Sequence, residues 1–151
     1  MKTQFDVLRK SRDLVIKELE GLTLEQIHVI PAGFKNNIAW NVAHLVVTQQ
    51  VLHYKMSGLN CLCPDDLITD FKKGTVPTKQ FTEEEFEEVK ELLIGLPDTL
   101  EEDFEAGIFK EFTEYPTSTG FVLSSIENAI AFNNFHEGIH YGIIRSIKKF
   151  L

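Results

Sequence analysis

The run Ile38-Ala39-Trp40-Asn41-Val42-Ala43-His44-Leu45-Val46-Val47 is apolar on almost every side of the helix it would form. A surface helix keeps a polar face for water; one that lacks such a face has to be enclosed by other elements. The run therefore calls for a bundle with this helix at its centre. Asn36 or Asn37 supplies an N-cap, and the helix extends to about Ser57, where Gly58 closes it. His44 shares a stripe with Trp40, Val47 and Val51, away from water, where an imidazole needs a partner. His53 falls near the opposite face and close to the helix end, and stays outside the candidate site.

The rest of the chain supplies the neighbours. From Gln4 to Glu20, Phe5, Leu8, Leu14 (with Val15) and Leu19 recur at helical spacing among charges, and Gly21 stops the helix. Thr23-Leu24-Glu25-Gln26 adds a turn before the Pro31-Ala32-Gly33 break, and His28 reads as a surface residue there. Residues 59–81 form a long connection rich in turn formers, of a length that usually crosses a bundle or carries function. Thr82-Glu83-Glu84-Glu85 then has the form of a capping box. Phe86, Val89, Leu93, Leu96, Leu100 and Phe104 continue one stripe, so a third helix is expected to about Glu105. Pro97 should kink or break it, because proline lacks a backbone donor. Between Gly107 and Thr119 the pattern is irregular, and a last helix is expected from about Gly120 to Lys149. Its buried face is Val122, Ser125 and Ile126, Ala129, Phe132 and Asn133, His136, His140, Ile143 and Ile144, and Ile147. The pattern reads as all-α, four long helices with a long connection between the second and third, in one domain over 1–151.

Charge narrows the partners. A formal net charge of -8 argues against nucleic acid and against anionic membrane surfaces, both of which attract basic patches. The start, Met1-Lys2-Thr3-Gln4-Phe5-Asp6, lacks the apolar core of a signal peptide, and no uncharged apolar run is long enough to span a bilayer. A cytoplasmic protein is expected. Cys61 and Cys63 make no disulfide framework, and no further cysteine completes a soft-metal site, so reduced loop thiols are expected.

His136-Glu137-Gly138-Ile139-His140 holds the most chemistry. Two histidines four apart on a helix share a face and can reach one metal ion. A lone histidine on an apolar face is usually a satisfied core residue; His44, on the buried stripe of another helix, raises the pair to a candidate metal site. Three imidazoles fill three corners of a tetrahedron and leave the fourth open, as catalytic zinc requires. The same letters spell the H-E-x-x-H signature of zinc peptidases, with Glu137 as base. That reading expects a third ligand downstream, and Tyr141 to Leu151 contains no His, Asp, Glu or Cys. It is set aside, and Glu137 is turned about 100° from the ligand face.

Asn37-Ile38-Ala39-Trp40-Asn41-Val42-Ala43-His44-Leu45 resembles the W-x-x-x-H-L segment of DinB-like metal-binding proteins. Phe132-Asn133-Asn134-Phe135-His136-Glu137-Gly138-Ile139-His140-Tyr141-Gly142 resembles that family's H-x-x-x-H-x-G. The resemblance spans essentially the whole chain. It implies a four-helix bundle with one long crossover, commonly a homodimer. It also implies a divalent metal, zinc or nickel in many members, on three histidines that match His44, His136 and His140. Some relatives transfer low-molecular-weight thiols such as bacillithiol, mycothiol or glutathione onto electrophiles.

The leading expectation is a metal-dependent thiol-S-transferase acting on a small-molecule substrate. A thiol has a pKa near 8.5, and a bound cation deprotonates it. The alternatives are a non-catalytic metal-binding or interaction bundle and a metal-dependent hydrolase.

Overall fold

The computed structural model describes residues 1–151 and is mostly helical. Four long helices, α1 (Lys2–Leu19), α3 (Ile38–His53), α5 (Glu83–Glu105) and α6 (Ile126–Lys148), make its body. Two short helices, α2 (Leu24–His28) and α4 (Asp65–Phe71), lie in the connections, with a 3-10 turn at Lys55–Ser57. A two-strand antiparallel hairpin, β1 (Tyr115–Pro116) with β2 (Val122–Leu123), precedes α6. Helix α1 packs on α5 and α6, and α3 packs on the same two. No helix is long and apolar enough to cross a membrane.

Local chemistry sets the helix ends. Asn37 caps α3 by accepting the Trp40 N–H at 2.8 Å, and every residue from Asn37 to Val47 is buried, as an all-round apolar run demands. Gly58 stops this segment in the left-handed conformation (φ 72°), which glycine adopts at no steric cost. Thr82 and Glu85 form the expected reciprocal capping box on α5.

Several expectations need correction. The connection after Gly58 contains α4, whose Leu67 and Phe71 are buried against the core, and the irregular stretch contains the hairpin. The last helix begins at Ile126, not near Gly120: Ser125 is its N-cap, and Val122 is an exposed strand residue. In α1 it is Val15 that is buried, while Leu14 faces out. His28 is half-buried; its Nδ1–H donates to the Leu24 carbonyl at 2.8 Å and its Nε2 accepts the Phe81 N–H at 3.0 Å. That tautomer ties α2 to the chain entering α5.

Pro97 does not break α5, which runs unbroken from Glu83 to Glu105. The missing N–H would have bonded the carbonyl four residues back, that of Leu93. Arg12 of α1 supplies the donor instead, its Nη1–H reaching the Leu93 carbonyl at 2.8 Å.

The apolar interior consists of two main clusters and a small third one of Leu52, Leu123 and Ala129. One main cluster holds Val15, the first half of α3, Phe86 to Leu96 of α5, and Ile144 and Ile147; the other holds Phe5, Leu8, Tyr54, Leu100, Ile126 and Ile130. Between them along the helices lies a layer of fully buried polar groups: Arg12, Gln49, His53, Asn133 and Glu137. His53 is thus no peripheral residue. Burial lowers its pKa to about 3, and the positive charge of Arg12 pushes the same way. A histidine near 6.5 when unfolded and about 3 when folded leaves the unfolded chain holding more protons between those values. Its contribution is therefore complete above about pH 6.5 and is lost as the pH falls toward 3. For metal-free protein, the urea midpoint should fall on going from pH 7 to 4, with each such histidine contributing roughly 1.4 kcal/mol per pH unit. His53→Gln should flatten that slope by about one proton; an unchanged slope would show that His53 is not responsible.

Candidate metal centre

Helices α3 and α6 pack face to face, which brings His44 toward His136 and His140. The two histidines of α6 stand one turn apart with ring centroids 4.4 Å from each other. The His44 ring lies 5.1 Å from that of His136 and 4.7 Å from that of His140. One ring nitrogen from each falls within 4.8 Å of the other two, and His44 Nε2 and His136 Nε2 approach to 3.2 Å. The structure thus gathers all three residues marked in the sequence, and leaves His28 and His53 out.

The orientation of two rings follows from hydrogen bonds at their far sides. His44 Nδ1–H donates to the Phe71 carbonyl at 2.6 Å, which leaves Nε2 as a lone pair. The Thr48 hydroxyl, one turn along α3, lies 3.2 Å from that Nε2 and donates to it. His140 Nδ1–H donates to Asn41 Oδ1 at 2.7 Å. Asn41 can accept only through that oxygen, because its amide nitrogen already donates to Asn36 Oδ1 at 3.0 Å and to the Asn37 carbonyl at 2.7 Å. Trp40 stacks on His44 with centroids 4.5 Å apart and planes 13° from parallel. An acceptor behind each imidazole, setting tautomer and ring angle, is the outer support that metal-ligating histidines need.

Burial makes the three rings neutral. Desolvation lowers the pKa of His44, against the pull of the Phe71 carbonyl. It takes His136 down to about 2, with His140 and His44 adding, and His140 down to about 3, with His44 adding. Neutral imidazoles with inward lone pairs are the form that binds a cation. The donor set and its tautomers therefore fit a divalent transition metal, and His136 Nδ1, buried with no partner, leaves that ring free to turn its lone pair to the cluster.

The histidines open on a cavity of about 550 Å³, of the size of small-molecule sites, walled by Trp40, Val47, Val51, Phe132 and Ile139. Glu137 is not part of it. Its side chain is fully buried in the polar layer, where Oε1 accepts from Arg12 Nη2–H at 2.9 Å. The residue that a peptidase would use as base is thus held as a structural ion pair. The cysteines stand apart too: burial pushes the Cys63 thiol up to about 12 and raises that of Cys61, so both are protonated and unsuited to ligation.

Sequence reasoning missed Asn41, Thr48 and the Phe71 carbonyl. Asn41 carried a visible signal, an amide in the middle of an apolar helix one turn before His44. The Phe71 carbonyl carried none, since any residue offers one.

No curated protein matches the chain. The family model of the DinB superfamily matches residues 8–144, a span that runs from α1 to α6 and contains all three histidines. The chain belongs to the DinB superfamily.

Proposed function

We propose that the chain is a metal-dependent enzyme in which His44, His136 and His140 hold one divalent transition metal, zinc or nickel, and that it transfers a low-molecular-weight thiol to a small electrophile. The observation that carries the reading is the convergence of three neutral imidazoles, two of them held from behind by Phe71 and Asn41, on the wall of a cavity large enough for a substrate. A cation bound there would supply Lewis acidity, lowering the pKa of a thiol brought to it. The chain's own residues do the rest. Asn41 and Phe71 hold two of the rings in one tautomer and orientation, so the lone pairs need no rearrangement. Trp40, Val51, Phe132 and Ile139 exclude water around the reacting atoms. Asp, Glu and Cys are absent from the cavity lining, so no carboxylate or thiol of the protein competes there. In the same reading the four long helices form a bundle, with residues 59–81 crossing from α3 to α5.

Elemental analysis of protein purified without an affinity tag should find about one equivalent of transition metal per chain. The metal-loaded protein should consume common thiols in the presence of electrophiles, and His44→Ala should abolish that turnover. Absence of metal, with no thermal shift on adding zinc or nickel, would overturn the proposal at its root. Bound metal with no turnover and a large melting-temperature drop on chelation would favour a structural role for the ion.

A further inference from the structure

The cavity differs in charge from the protein around it. The chain has 23 Asp and Glu against 15 Lys and Arg, yet none of the 18 residues lining the cavity is acidic. Two of them, Lys72 and Lys73, are cationic. Neither lysine forms a salt bridge, so both ammonium groups are free to meet a ligand.

Their position is fixed by the histidine site itself. The residue before them, Phe71, accepts the His44 Nδ1–H at 2.6 Å. Beyond them, Thr75 accepts the Trp40 Nε1–H at 3.1 Å, and its hydroxyl turns back to the Lys72 carbonyl at 2.9 Å. The segment Lys72-Lys73-Gly74 is thereby pinned on both sides to residues that also touch His44. The turn between β1 and β2 also lines the cavity and brings the Ser118 hydroxyl to it; the Thr117 hydroxyl donates to the Phe121 carbonyl at 2.9 Å, and that of Thr119 lies 3.0 Å from Thr117 Oγ1. Cationic and hydroxyl donors at the rim over apolar walls suit a molecule with an anionic end and an apolar or sulfur-bearing body.

We propose that this cavity selects a small anionic ligand, holding its carboxylate, sulfonate or phosphate group at Lys72 and Lys73 while the rest of the molecule extends toward the three histidines. The proposal rests on the reading of the cavity as the reaction site and narrows its substrate class. It gives the acidic chain one place where an anion is attracted, while the surrounding negative charge disfavours anions elsewhere.

The test uses two probes of similar size and opposite charge, 2-phenylethanesulfonate and 2-phenylethylammonium, titrated by NMR into metal-free and zinc-loaded protein. The sulfonate should bind about 10-fold or more tightly than the ammonium in both forms, with a preference that weakens in salt. Lys72→Gln with Lys73→Gln, both exposed and so harmless to folding, should bring the two probes within about 2-fold in the metal-free form. Equal binding of the two probes, or a preference that survives the double substitution in the metal-free form, overturns the proposal. Zinc that fails to bind while the sulfonate preference persists overturns the metal reading and supports the anion site. Zinc that binds beside an absent charge preference does the reverse.

Discussion

Arg12→Met is expected to destabilise the protein by about 3–5 kcal/mol, the usual cost of leaving one partner of a buried ion pair alone. In a protein of this size that corresponds to a melting-temperature drop of about 10 °C. Arg12 and Glu137 are both fully buried, with Nη2–H donating to Oε1 at 2.9 Å. The same guanidinium donates to the Leu45 carbonyl of α3 at 3.2 Å and to the Leu93 carbonyl of α5 at 2.8 Å. One side chain of α1 thus binds each of the other three long helices. Burial raises the pKa of Glu137 despite the pull of Arg12 and of the Asn133 amide, because the donors gather on Oε1 and Oε2 has none.

Two double variants separate the parts of that loss. Arg12→Met with Glu137→Met should recover most of it, since replacing both charges by apolar groups removes the stranded carboxylate. Arg12→Met should also cost about 1 kcal/mol or more less when combined with Pro97→Ala, because an alanine restores the N–H that Leu93 lacks. Urea unfolding of the parent, the single variants at Arg12, Glu137 and Pro97, and the two double variants measures both couplings. Strict additivity in both cycles would show that Arg12 is merely one more packed side chain.

The same residue shows where reading the sequence stops. Phe5, Leu8, Arg12, Val15 and Leu19 share one face of α1, and the arginine on it passed for one of the surrounding charges. A charge on an apolar stripe asks for a buried partner, but the partner, Glu137, is 125 residues away, and periodicity on one helix carries no information about another. That Pro97 leaves α5 unbroken was hidden for the same reason, since the donor that replaces its N–H comes from α1. Features set by nearby residues were legible: Asn37 at the start of α3, Gly58 at its end, and the Thr82–Glu85 box. The histidines were legible because helical spacing puts His136 with His140, and burial of a whole apolar helix brings His44 inside. Helix α4 and the hairpin escaped notice because elements of a few residues are too short to show a period.

Asn41→Leu is expected to weaken zinc binding by roughly 10–100-fold, the range found when the group behind a metal-ligating histidine is removed. Asn41 touches no other member of the cluster by hydrogen bond; its contact is with Nδ1 of His140, at 2.7 Å. Losing that acceptor frees the ring to rotate and to take the other tautomer, which would put a proton on the nitrogen meant for the cation. Direct removal of a ligand in His140→Ala should have a larger effect and abolish stoichiometric binding in a competition with a chelating dye. Asn41→Asp is the decisive control, because it keeps the acceptor oxygen and makes it a stronger one, so zinc affinity should hold or rise. A merely structural role for Asn41 makes the opposite prediction: a carboxylate buried at 0 % exposure, without the amide donors to Asn36 and the Asn37 carbonyl, should harm folding at least as much as leucine does. Stability and affinity measured on both variants therefore part the two roles. Equal zinc affinity in Asn41→Leu and the parent protein would remove the amide from the site.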